Sequence, residues 1–266
     1  MKNRVTNAGY GNRKPFLSAA ASVELRSVMD KQIDEQVVEW YANVPAAAHL
    51  ESKNVDSDYY KRNLIETAWR IRLLRVAEAK EGDIVFVSAA AGAVGSAVVQ
   101  IAKAKGMTVI GAAGGPEKCE WVLSLGADAA IDYKSGPIVK LLMDAAPQGI
   151  DVYFDNVGGD HLDAALAVAR QKARFAICGM IEDYNSGSNH AFRYVTRIIG
   201  ARIAIKGFIY TDFLSEMGDF YRDMGGWIAG GQLTSRETVH EGIDAAPQAF
   251  LDLFSGGNIG KMLVRL

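Results

Sequence analysis

Apolar residues near the start of the chain recur at helical spacings. Val23, Val28, Ile33, Val37 and Trp40 fall within residues 18–41, a stretch without glycine or proline, and the pattern predicts a helix. Pro45 and the polar run 51–57 interrupt it. Leu64, Ile65, Trp69, Ile71, Leu73, Leu74 and Val76 then give a broad apolar face to a second predicted helix over residues 58–78. Arg70, Arg72 and Arg75 are interleaved with that face and read as its solvated side.

Beyond residue 80 the pattern changes. Apolar runs at 84–87, 108–112, 129–132, 152–155, 174–177 and 202–209 lack polar alternation, and helical stretches at 95–105, 118–125, 138–145 and 160–169 separate them. Strands of that kind predict a parallel sheet covered on both faces. The expected fold is therefore α/β, a doubly wound (Rossmann), mostly parallel sheet over residues 81–266. A helical N-terminal segment of unassigned role, residues 1–80, precedes it.

Composition sharpens this boundary. Residues 1–80 hold only Gly9 and Gly11 of the 27 glycines, and carry 13 Lys plus Arg against 10 Asp plus Glu. The remainder carries 16 against 21, so a basic, glycine-poor part precedes an acidic, glycine-rich one. With 49% hydrophobic residues and a formal charge of -2, the chain can bury enough surface to fold. Its pI near 6.1 argues against a nucleic-acid partner. Two cysteines, Cys119 and Cys178, make no disulfide framework and no zinc-spaced cluster. They point to a reducing, cytoplasmic setting and to no metal site. No apolar run approaches the roughly 20 residues of a membrane span, and the N-terminus shows no apolar core of a secretory signal.

The densest chemical signal is Asp83-Ile-Val-Phe-Val-Ser-Ala-Ala-Ala-Gly-Ala-Val-Gly-Ser96. It reads as a strand, a tight turn through Ala90, Ala91, Gly92, Ala93, Val94 and Gly95, and a helix. This is G-x-G-x-x-G with Ala90 replacing the first glycine. Gly92 admits a pyrophosphate close to the backbone, Gly95 admits tight helix–strand packing, and the helix start offers free N–H groups to the anion. A dinucleotide site follows. At the end of the second strand, Val109-Ile-Gly-Ala-Ala-Gly-Gly-Pro-Glu-Lys118 places no acid for the ribose hydroxyls that NAD requires. Gly114 and Gly115 leave room, Lys118 offers a cation to a 2′-phosphate, and Tyr133 offers a further hydrogen bond. NADPH/NADP is the expected cofactor.

Residues 75–266 also resemble a known family, the zinc-independent medium-chain dehydrogenases/reductases. The branch is that of leukotriene B4 12-hydroxydehydrogenase, prostaglandin reductase, curcumin reductase and alkenal double-bond reductases. The resemblance rests on the turn above, Gly114-Gly-Pro-Glu-Lys118, Ile131-Asp-Tyr-Lys134 and Tyr153-Phe-Asp-Asn-Val-Gly-Gly159. It continues through Cys178-Gly-Met-Ile-Glu-Asp-Tyr-Asn185, Lys206-Gly-Phe-Ile209 and Gly257-Asn-Ile-Gly-Lys261. It implies hydride transfer from NADPH to the β-carbon of an α,β-unsaturated ketone or aldehyde. It also implies that Lys118 and Tyr133 hold the 2′-phosphate and that Asn156 lies near the cofactor. Cys178, Ile181 and Tyr184 would line the nicotinamide and its ribose, Phe208 and Ile209 would flank the ring, and Asn258 would close over the cofactor. Tyr184 is the catalytic candidate, as a phenol donor to the developing enolate oxygen, or else a residue that only packs on the cofactor. Asp155 reads as an orienter of backbone amides.

Family members carry an N-terminal GroES-like β domain that walls the substrate cleft, and residues 1–80 show none of its turn-rich pattern. Two readings follow: a working enone reductase, or an NADPH-binding remnant without efficient turnover that acts as sensor or interaction protein. The resemblance also implies a homodimer through the edge strand at 204–210, where Ile203, Ile205 and Ile209 suit pairing across a two-fold axis.

Overall fold

The computed structural model describes residues 72–182, 190–209, 227, 230–231 and 233–266. The helix expected over 18–41, most of the one expected over 58–78, and Tyr184 lie outside the described residues; of the second helix, Arg72–Val76 is described and forms a π-helical turn. Six strands, β1 (Ile84–Val87), β2 (Thr108–Ala113), β3 (Ala129–Asp132), β4 (Ile150–Asp155), β5 (Ala169–Ile177) and β6 (Ala204–Gly207), form one sheet in the order β3-β2-β1-β4-β5-β6. Every pairing in it is parallel. The intervening helices are α1 (Ala93–Ala104), α2 (Pro116–Ser124), α3 (Ile138–Ala145), α4 (Gly159–Val168) and the short α5 (Arg197–Ala201). The fold is the Rossmann-like α/β sheet expected of the sequence.

The strand sequences explain the layering. Along β1, Val85 and Val87 pack into one core with Val98, Ile101, Val109 and Phe154, while Phe86 points the other way, toward Ile110, Leu142, Tyr153 and Phe175. Both faces are covered, so the run Ile-Val-Phe-Val needs no polar alternation. β1 lies between β2 and β4, and the chain leaves it first in one direction and later in the other. That switch point opens a crevice at the carboxyl ends of β1 and β4.

Several boundaries depart from expectation. β5 begins at Ala169 rather than 174, because a register shift between Ile150 and Val152 lets Ala169 pair with Ile150 before the main ladder starts. β6 is shorter than 202–209, since Arg202 caps α5 in the left-handed conformation and Ile203 N–H donates back to the Ile198 carbonyl. Unpredicted elements include α5, β7 (Glu237–Glu241) and α6 (Ala246–Ser255). The C-terminal strand β8 (Lys261–Arg265) pairs in parallel with β7 in a separate two-stranded sheet. Glu-Thr-Val-His-Glu carries too few apolar residues to stand out as a strand, and its exposed positions alternate with half-buried ones.

Candidate functional site

The glycine-rich turn is built by contacts that leave no room for side chains. A Cβ on Gly95 would lie 2.3 Å from the Ala89 carbonyl oxygen and 2.6 Å from Ala90 Cα, so α1 rests directly on the turn. Gly92 has 3.3 Å to the same oxygen. Ala90 is fully buried, and its methyl occupies the space beside Gly111 on β2, where a Cβ would come within 2.7 Å of it. The absent first glycine is thus matched by a glycine on the neighbouring strand.

A buried polar cluster joins the turn to the end of β4. Asp155 Oδ1 accepts hydrogen bonds from the Tyr153 hydroxyl (2.6 Å), Ser88 Oγ (3.1 Å), and the backbone N–H groups of Val157 (2.8 Å) and Gly158 (2.9 Å). Burial pushes its carboxyl up, and these donors pull it down. Asn156 donates from its backbone to Ser88 Oγ and from Nδ2 to the Ser88 carbonyl, both at 2.8 Å. Asp155 orients backbone amides, and both walls of the crevice are held in register.

Between those walls lies a cleft of about 570 Å³. Of the residues expected at a cofactor, Ala91, Gly92, Lys118, Tyr133, Ile181 and Asn258 line it. Gly114 lies beside Tyr133, whose phenol oxygen would stand 2.7 Å from a Cβ on that glycine. Asp132 Oδ1 accepts from the N–H groups of Gly115 (2.9 Å) and Lys134 (3.0 Å), which ties together the loops that carry Lys118 and Tyr133. Lys118 Nζ donates to the Gly256 carbonyl at the C-terminal end of α6, and burial lowers its pKa. Asn258 Nδ2 donates to the Gly260 carbonyl at 2.7 Å.

Other expected residues stand behind or beside the cleft. Ala93, Val94 and Gly95 form the first turn of α1, with Val94 packed on the core. Asn156 spends its amide on Ser88, and Cys178 and Phe208 pack against the core, Phe208 with its ring 6.1 Å from that of Phe154. Ile209 is exposed. Sequence reasoning missed His161, Asp160, Glu182 and the Leu253–Ser255 end of α6, which also line the cleft. Glu182 lies within the 178–185 motif; tertiary packing alone brings the others here. The Glu182 carboxylate sits against Gly159, where a Cβ would lie 2.5 Å from it, at the positive end of α4.

Residues 93–225, half of the chain, match the family described as zinc-binding dehydrogenase. The chain belongs to that family. Among the described residues, no group of three or more His, Cys, Asp or Glu is placed to hold a metal, so the zinc of that description finds no donor set there. Similar to this chain is the putative NADP-dependent oxidoreductase YfmJ of Bacillus subtilis, 42% identical over 73% of this chain and 59% of that protein. The NADPH-dependent curcumin reductase of Escherichia coli is 37% identical over 73% of this chain and 58% of its own. Among solved structures, CurA from Vibrio vulnificus in complex with NADPH superposes with a TM-score of 0.70 at 40% identity, covering 73% of this chain and 60% of that one. The chain thus spans rather less than two thirds of the length of these relatives.

Proposed function

We propose that the cleft binds NADPH and that the chain is an oxidoreductase of the double bond in α,β-unsaturated ketones or aldehydes. The observation that carries the reading is the end of the cleft at β2, where Tyr133 stands beside a bare Gly114, Lys118 lines the same cleft and no carboxylate ends the strand. The small residues Ala89, Ala91, Gly92 and Gly114 leave a cradle that dinucleotide phosphates fit. The E. coli relative is named as NADPH-dependent and the V. vulnificus structure holds NADPH, which supports the same cofactor.

In this reading Lys118 and Tyr133 bind the 2′-phosphate, Ala91 to Gly95 present N–H groups to the pyrophosphate, and Asn258 closes over the cofactor. Asn156, Cys178, Ile181, Phe208 and Ile209 shape the nicotinamide end. Bound NADPH supplies the hydride that the substrate β-carbon receives. Tyr184 donates a hydrogen bond to the carbonyl oxygen as negative charge grows there, and the α-carbon is then protonated. The chain works in the cytoplasm as a homodimer through β6, with residues 81–266 as the cofactor-binding unit and 1–80 as a helical N-terminal segment of unassigned role.

Fluorescence titration of the full chain with NADPH tests binding; a dissociation constant weaker than about 1 mM overturns the reading. NADPH consumption with a panel of small enones and enals then tests turnover, and Tyr184→Phe is expected to slow it. A second reading is cofactor binding without efficient turnover. Tight binding with no enone-dependent consumption selects it.

A further inference from the structure

His161 lies in the first turn of α4 and is 5% exposed at the wall of the cleft. Burial lowers its pKa from 6.5 to about 4, so the ring is neutral near pH 7. Neither ring nitrogen has a hydrogen-bond partner among the described residues. What the side chain gives its surroundings is therefore the shape of a flat ring. That ring meets Tyr133 edge-on, with centroids 5.1 Å apart and an interplanar angle of 74°. Tyr133 needs such support. It is 37% exposed, no hydrogen bond holds its hydroxyl among the described residues, and packing alone sets the phenol against Gly114.

We infer that His161 is a positioning residue whose ring holds the Tyr133 phenol at Gly114, and that it thereby makes the cleft prefer a dinucleotide with a 2′-phosphate over one without. The inference rests on the cofactor reading above and adds a specificity determinant to it. Its physical basis is the edge-to-face contact, which fixes an otherwise unanchored ring at little entropic cost.

The test is titration of the full-length chain with NADPH and with NADH, followed by the fluorescence of the reduced nicotinamide. His161→Leu fills the space without a ring; it is expected to weaken NADPH about fivefold while leaving NADH within about twofold. His161→Phe keeps the ring and removes the unpartnered nitrogens, so it is expected to bind both dinucleotides within about twofold of the unaltered chain. The double variant His161→Leu/Tyr133→Phe is expected to bind NADPH no more weakly than Tyr133→Phe alone, because the two act through one hydroxyl. Circular dichroism and melting of each variant confirm the fold. Equal weakening of both dinucleotides, additive losses, or a His161→Phe variant as impaired as His161→Leu would overturn the inference alone. An unaltered chain that binds neither dinucleotide would overturn the cofactor reading and this inference with it.

Discussion

Gly95 and Gly114 lack a side chain for different reasons, and their substitutions separate accordingly. A methyl at Gly95 collides with backbone, which cannot swing aside. Gly95→Ala is expected to cost about 2 kcal/mol or more in chemical denaturation and to abolish NADPH binding. A methyl at Gly114 instead meets the ends of Tyr133 and Lys134, which can move. Lys118→Met removes the cation from the same end; titration is expected to show NADPH affinity falling about tenfold or more with NADH little changed. His161 also carries a pH signature. Its pKa is about 4 in the folded chain, against 6.5 for an ordinary histidine. The unfolded chain therefore binds more protons in that window, and this contribution to stability is full above 6.5 and lost as pH falls toward 4. The slope approaches about 1.4 kcal/mol per pH unit. His161→Phe should flatten it in denaturation midpoints measured from pH 7 to 5. Lys118, Tyr133 and the turn were legible in the sequence because each sits at a fixed offset from a strand end. His161 was not, because only the packing of α4 against α3 and β4 brings it to the cleft; Glu182, though within the 178–185 motif, is placed there by its contact with Gly159.

At the scale of elements, the strands around the switch point were legible because burial on both faces forces unbroken apolar runs. β7 and α6 were not. They pack against β8 rather than the large sheet, and the half-buried positions of β7, Thr238 and His240, are polar. One side chain does much to hold this C-terminal part. Gln100 Nε2 donates to the Thr234 carbonyl (3.0 Å) and the Ser96 carbonyl (3.0 Å), and Thr234 N–H donates to Gln100 Oε1 at 2.7 Å. Gln100→Leu removes these bonds and leaves the backbone groups of exposed Thr234 to water. It is expected to cost about 0.5–1.5 kcal/mol and to raise hydrogen exchange near Thr234 and β7. The opposite edge of the large sheet ends in β6, which is exposed along its length. Its edge, unpaired among the described residues, is the proposed dimer seam, and Ile205→Glu is expected to convert a dimer to a monomer in sedimentation at micromolar concentration.

For the whole molecule, sheet order decides when the site exists. β1 and its turn come early in the described chain, yet the second wall of the crevice is the end of β4. The two are clasped by Ser88 and Asp155 across 67 positions of sequence. Contacts of such separation form slowly, since loop closure precedes their reward. During synthesis the glycine-rich turn therefore emerges as half a site, with apolar β1 bare along one side until β4 arrives. A nascent chain halted before residue 155 has no crevice for a dinucleotide to rescue. A chain released beyond Val168 has the clasp, both turns and the helix behind them. The ligand can thus act as a folding aid only late, on a chain whose central strand has already waited for its second neighbour.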